Sequence, residues 1–298
     1  MNTEGGAPVV AKGVCWSLQQ NPTIADAHTT DGYGCGKFSS QITGLSPRTT
    51  YYVRSYATSS LGTVYGAQVS FTTTNGPCLD APTVTDYDGN VYNTVQIGTQ
   101  CWMKENLRVL HYSDGGAITV GSLNNTDPRC NYPNGNSSNF NDYGYIYNRV
   151  AVMHGASYSE TNPSGVQGIC PTGWHLPSSS EWSQLADYVN SQSEYLCNGY
   201  SGYNAKALAD TLGWMVVSDY CSVGNNLSIN NKTGFSARPA GYATATSSMY
   251  STGNYYSMNE CASFWSASNS NATWYLNESY AYMRGGGSHF SSVRCLKD

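Results

Sequence analysis

The chain has 298 residues, enough for two domains that each bury a core. Only 11% of residues are charged, about half the usual share, while Gly (31) and Tyr (25) are abundant. That balance excludes a disordered chain, which needs high charge and few aromatics. A net charge of -5 with no Lys/Arg cluster excludes a nucleic-acid tracker, and no apolar run approaches a membrane span.

Ten cysteines in a neutral, loop-rich chain argue for disulfides and an oxidising compartment. They stand singly, without the paired CxxC spacing of a zinc site, and the five histidines are scattered, so no metal and no cofactor is expected. The start, MNTEGGAPVV, lacks the basic and apolar regions of a signal peptide. If the protein is exported, Met1 marks a trimmed start.

Residues 1–76 read as all-β. Alternation is visible in Gln41–Leu45, in Tyr51–Ala57 and in Ala67–Thr72, with turns at Ser46-Pro47 and Leu61-Gly62. Cys15 and Cys35 are the cysteines of this part and are expected to pair. Asn75-Gly76-Pro77 is a run of breakers and marks the boundary, so the second domain spans 77–298. Asp86-x-Asp88-x-Asn90 has a superficial calcium-loop spacing, but it lacks the downstream Glu and reads as a hairpin turn.

Residues 111–168 are mostly Asn, Gly, Ser, Asp and Tyr, a long stretch that needs a clamp, for which Cys130 is the candidate. The clearest helix begins at Ser178, with Glu181 three residues on as a capping box, and Trp182, Leu185, Ala186 and Val189 as its apolar stripe. A second helix is expected over about 204–212, with Ala205, Leu208, Ala209 and Leu212 inward and Gly213 as its stop. Trp214–Val217 packs next, Lys232–Tyr242 reads as a strand with turns, and short strands follow to Cys295. Trp174, Trp182, Leu185, Val189, Phe235, Trp265 and Val293 are expected to be buried together.

The run GLSPRTTYYVRSYATSSLGTVYGAQVSFTT resembles the fibronectin type III-like domains of bacterial surface proteins. The match is close from Gly13-Val14-Cys15-Trp16 onward, and the first strands of such a sandwich are missing. Either the chain was cut there or the sandwich has an open edge that a pilus or surface-anchor subunit fills. A plain spacer is the simpler role.

The blocks GTQCWMKENLR, GICPTGWHLPSSSEW, TGFSARPAGY, FWSAS and SVRCLKD resemble, in order and spacing, the Fibrobacter succinogenes major paralogous domain. That family resembles the C-type lectin-like fold in its formylglycine-generating-enzyme branch. The resemblance implies an α+β domain of two helices on a small twisted sheet with long loops, in secreted or surface-anchored proteins. It also implies a Cys170–Cys295 bridge. Cys78–Cys101 is expected too, Cys197 and Cys221 flank a helix whose loops they would staple, and Cys130–Cys261 follows by elimination, although spacing does not choose among connectivities.

Residues 269–291 occupy the slot that carries the diversified segment in variable proteins of diversity-generating retroelements, between an FW-S start and an S-V-R-C end. Their Asn, Ser, Thr, Tyr and Gly also suit the ordinary paralogous domain, and both readings stand. Tyr275, Asn277, Ser279, Tyr280, Tyr282, Arg284, His289 and Ser291 are the candidate ligand-binding residues, on a face from which Leu276 and Met283 alternate toward the core. The expected role is a surface-displayed, extracellular binding or adhesion protein, on a pilus tip, a cell surface or a phage, for a protein or glycan ligand at a host or bacterial surface. The alternative is an enzyme of the formylglycine-generating branch, which needs an accessible cysteine pair. The Glu-Pro-Asn-type motifs of sugar-binding lectins are absent, and the nearest run is Tyr132-Pro133-Asn134.

Overall fold

The structure, a computed structural model, describes residues 7–46, 49–73, 76–245, 254–270, 272–278, 284–286 and 290–298. The chain is β-rich with few helices and falls into two compact units, Met1–Gly76 and Pro77–Asp298.

In the first unit β1 (Ala11–Ser17), β2 (Ala27–His28), β3 (Thr50–Ser59), β4 (Gly62–Tyr65) and β5 (Val69–Thr72) form one antiparallel sheet. The order is β2-β1-β3-β4, and β5 pairs with the first half of β3. The Tyr51–Ala57 alternation lies in β3, with Tyr51 and Val53 buried. Gly13 is required on β1, because a Cβ there would meet the Thr29 carbonyl oxygen at 2.3 Å. Gln41–Leu45, expected as a strand, is irregular. The described residues form this one sheet rather than the two of a sandwich, since the glycine-rich stretch before β3 makes no ladder.

The expected Cys15–Cys35 bridge does not form. Cys15 faces inward on β1 with its thiol toward the Pro22 and Arg54 carbonyls, whereas Cys35 is exposed in the loop.

The second unit opens with β6 (Thr83–Thr85), β7 (Val91–Ile97) and β8 (Gln100–Met103), an antiparallel meander. The Asp86–Asn90 segment is its first turn: the Asp86 carboxylate accepts from the Asn90 backbone at 2.9 Å and from the Tyr92 hydroxyl at 2.5 Å. Next come β9 (Thr119–Val120), β10 (Arg129–Asn131), α1 (Phe140–Tyr143), β11 (Ile146–Tyr147), α2 (Arg149–Met153) and β12 (Trp174–His175). The loop-rich stretch is therefore held by a β11-β10-β9 sheet with a buried Cys130, not by a disulfide.

Helix α3 (Ser179–Ser191) carries the expected capping box, with Ser178 Oγ accepting from Glu181 and the Glu181 carboxylate accepting from the Ser178 N–H at 2.9 Å. The second expected helix shrinks to one turn, α4 (Ala205–Leu208). Its continuation is taken by tertiary pairing: Ala237 donates to the Leu208 carbonyl and Asp210 to the Ala237 carbonyl, and Leu212 is left exposed. Of Trp214–Val217 only Trp214 is buried. Lys232–Tyr242 is irregular except where β13 begins.

The last elements are β13 (Tyr242–Thr244), β14 (Asn254–Tyr256), β15 (Cys261–Trp265), β16 (Thr273–Asn277), β17 (Arg284–Gly286) and β18 (Leu296–Lys297). β18 inserts between β12 and β8 in a sheet of order β12-β18-β8-β7-β6, and β15-β16-β17 is a separate sheet. The core is divided. Trp182, Leu185, Val189 and Phe235 pack in a cluster under α3, while Trp174, Trp265 and Val293 belong to a second cluster. The Trp182 indole joins the two by donating to the Trp265 carbonyl at 3.3 Å.

Three disulfides brace this unit: Cys78–Cys101, Cys170–Cys295 and Cys197–Cys221. The expected Cys130–Cys261 bridge is absent, because Cys130 lies on β10 and Cys261 on β15, each buried in its own sheet. No helix among the described residues is long and apolar enough to cross a membrane.

Candidate recognition surface

The pleat of β16 sorts its side chains. Leu276 and Trp274 lie opposite Ala262 and Phe264 of β15 and are buried in the α3 core. The Trp274 indole donates to Ser179 Oγ at 3.1 Å, which fixes that inward face. Tyr275 and Asn277, opposite Ser263 and Cys261, therefore face the other way, and both are half-buried. The backbone of Arg284 pairs with Tyr275 from β17. Ser279, Tyr280, Tyr282 and His289, with Met283, lie outside the described residues.

Two further tyrosines extend this face. Gly241 donates to the Cys261 carbonyl at 2.8 Å and brings β13 alongside β15. A Cβ on Gly241 would lie 2.4 Å from the Tyr256 carbonyl oxygen, and its φ is +67°, so glycine is needed for that approach. Tyr242 then pairs with Tyr256, their rings stacked at 5.4 Å. The Gly241–Ala262 bridge sets Tyr242 beside Ser263, which pairs with Tyr275. Burial raises the pKa of the Tyr242 phenol, and Cys261, Tyr256 and Tyr275 raise it further. The face thus reads Tyr256, Tyr242, Tyr275 and Asn277. Sequence reasoning missed Tyr242 and Tyr256, although the Tyr-, Ser- and Gly-rich composition of 247–257 matches that of the terminal segment.

Ser291 corrects the expectation. It is fully buried, its hydroxyl meets Ser263 Oγ at 2.9 Å, and its backbone exchanges hydrogen bonds with Tyr147. The terminal run from Phe290 to Cys295 is interior throughout, so strand parity no longer decides exposure there.

A cleft of about 890 Å³ adjoins the face through Thr244, which shares the Tyr242 side of β13. Arg149, Met153, Tyr158, Trp265 and Phe290 also line it. Arg149 starts α2, whose N-cap Asn148 accepts from Ala151 at 2.9 Å. Its guanidinium lies over the Tyr158 ring at 4.1 Å and donates to the Ser268 carbonyl at 2.6 Å. The volume falls in the range of small-ligand clefts.

His175 is buried between two carboxylates, Asp298 at 2.7 Å from Nδ1 and Glu181 at 2.8 Å from Nε2. Both ring nitrogens are engaged, and Glu181 also caps α3, so this is a clasp. Burial pushes the Cys130 thiol up to about 12, opposite to what a nucleophile needs. Tyr132-Pro133-Asn134 enters a short 3-10 turn. Among the described residues no three His, Cys, Asp or Glu side chains converge as a metal site.

The architecture is a β-rich, disulfide-braced domain with an aromatic sheet face. The family model of the Fibrobacter succinogenes major domain matches residues 95–297, more than half of the chain, and the chain belongs to that family. No curated protein and no solved structure matches it.

Proposed function

We propose that this chain is a surface-displayed binding protein whose second unit is a C-type lectin-like domain. Its recognition face is built from Tyr256, Tyr242, Tyr275 and Asn277 together with the segment between Asn277 and Phe290. The observation that carries the reading is the division of β16: Leu276 is sealed in the core while Tyr275 and Asn277 turn to the other side of the strand, where Tyr275 neighbours Tyr242. Tyrosine supplies rigid contact area at low entropic cost, and Asn and Ser supply adaptable hydrogen bonds. The ligand is a protein or glycan at a host or bacterial surface. Three disulfides favour an extracellular, cell-surface setting on a pilus tip, a cell or a phage. The first unit acts as a fibronectin type III-like spacer. Residues 269–291 fill the slot used for diversification in retroelement variable proteins.

The test is a binding screen on immobilised surface proteins and glycans, with the wild type and a Tyr275→Ala/Tyr280→Ala/Tyr282→Ala variant. Loss of binding with a nearly unchanged Tm supports the face, because substitutions that leave core packing intact change stability little. Binding retained by the variant, or lost only with a marked fall in Tm, overturns it.

A further inference from the structure

A second cleft, sharing no residue with the tyrosine face, carries a charge arrangement that the binding role above does not use. It measures about 240 Å³ and is lined by Lys104, Arg108, Asp142, Asp210, Arg238 and Arg294, with Glu105 and Asn106 beside them. We propose that it binds one compact oxyanion group, a carboxylate or a sulfate.

Arg294 is 1% exposed. Its Nε donates to Asn106 Oδ1 at 2.8 Å, Nη1 to the Met103 and Phe235 carbonyls at 3.2 and 2.6 Å, and Nη2 to the Ser236 carbonyl at 2.8 Å. A guanidinium has five N–H groups. The four acceptors are all neutral, and one Nη2 hydrogen is left where the side chain lines the cleft. Among the described residues no carboxylate hydrogen-bonds to this buried charge; Glu105 and Asp210 offset it only from a distance.

Two more cations at the cleft have spare donors. Arg108 reaches the Val91 carbonyl at 3.2 Å through Nη2, and among the described residues its Nη1 makes no hydrogen bond. The Lys104 ammonium makes no ion pair among the described residues. The carboxylates are already engaged. Asp210 and Asp142 each accept from Arg238 at 3.0 Å, and both Glu105 oxygens accept from Asn93, at 2.8 and 2.9 Å. Unspent donors on three cations, facing acids that are already bonded, match an anion. A cationic ligand would meet Arg294. The volume, several times the roughly 30 Å³ share of a water, admits the acidic group together with a body about the size of a sugar ring.

The probes are sodium glucuronate and sodium sulfate, titrated calorimetrically into the full chain against sodium chloride at matched ionic strength. Glucose is the neutral control of similar size. The variants are Lys104→Gln and the double Lys104→Gln/Arg108→Gln, all at part-exposed positions. Saturable binding of one or both anions, weakened about tenfold or more in the double variant and less in the single one, is the expected result. Response to glucuronate alone assigns a carboxylate site, and response to both assigns a general oxyanion site. Absence of saturable binding, equal affinity in Lys104→Gln and the wild type, or glucose binding as tightly as glucuronate would each overturn the proposal.

Discussion

The hydroxyls of Ser263 and Ser291 meet at 2.9 Å in the protein interior, and they tie the terminal run to β15. The backbone reinforces the contact: Ser292 donates to the Ser263 carbonyl and Trp265 to the Ser292 carbonyl, each at 3.0 Å. Any surface formed by the terminal segment therefore ends before Phe290. Ser291→Ala leaves the buried Ser263 hydroxyl short of a partner and should cost about 1–3 kcal/mol. Adding Ser263→Ala should cost less than the sum of the single changes, because the two hydroxyls share one contact. Urea titration of the three variants measures this. A Ser291→Ala variant of wild-type stability that binds ligand more weakly would place Ser291 on the recognition face after all.

Trp265 closes the cleft beside Arg149 and carries the junction of the two core clusters. It is 1% exposed, its indole donates to the Tyr147 carbonyl at 2.8 Å, and its own carbonyl accepts from Trp182. Trp265→Ala should destabilise by about 3–5 kcal/mol. Trp265→Phe keeps most of the volume and should lose roughly half of that or less. Equal losses for the two variants would mean that the hydrogen bond, not the packing, carries the energy.

Cysteine chemistry gives a separate check. Cys35 keeps an exposed thiol, while those of Cys15, Cys130 and Cys261 are buried. Alkylation of the native, unreduced protein should label Cys35 first, and the other three only after denaturation. Peptide mapping should recover Cys78–Cys101, Cys170–Cys295 and Cys197–Cys221 intact. A pair of fast-reacting native thiols would instead favour the enzymatic reading of the fold.

What the sequence made legible was local. Ser178 and Glu181 form the capping box because that device needs only a three-residue spacing. The Asp86 turn is likewise decided within five residues. Cys170–Cys295 came from resemblance, since its partners are 125 residues apart. The failures are cases in which tertiary pairing overrode a local pattern. Ala209 belongs to a helical stripe in sequence, yet it bridges to Ala237, and Asp210 donates to the Ala237 carbonyl where the helix would have continued. Cys130 and Cys261 were matched by elimination, but they belong to different sheets. Ser291 follows strand parity, but a partner covers it on each side. Tyr242 and Tyr256 were missed because nothing local shows that β13 runs beside β15.

The His175 clasp makes stability depend on pH. Burial lowers the pKa of the imidazole, but the Glu181 and Asp298 carboxylates outweigh it, and the net shift is upward from 6.5. A group whose folded pKa is raised stabilises the fold fully below its unfolded pKa and loses that contribution as pH rises through the folded value. The Tm of the wild type should therefore fall relative to His175→Gln as pH increases above about 6.5. A difference in Tm between the two that stays constant from acid to alkaline pH would show that His175 does not change charge in the folded protein.

The tyrosine face can be separated from the core by changes on a single strand. Leu276 and Tyr275 are neighbours in sequence but point to opposite sides of β16. Leu276 is fully buried, so Leu276→Ala should cost about 2–5 kcal/mol. The molecules that remain folded should still bind, because the contact side chains are untouched. Tyr242 and Tyr275 are half-buried, and Tyr256 is 41% exposed. Replacing these three by Ala should cost far less stability per residue than Leu276→Ala. It should nevertheless remove most of the affinity, because aromatic anchors dominate interface energetics. Equilibrium unfolding and surface binding, measured on both variants, give two numbers for each. The proposed face requires them to move in opposite order: the larger stability loss in Leu276→Ala and the larger affinity loss in the tyrosine variant. If both losses fall together on the tyrosine variant, the tyrosines are packing elements and the ligand binds elsewhere.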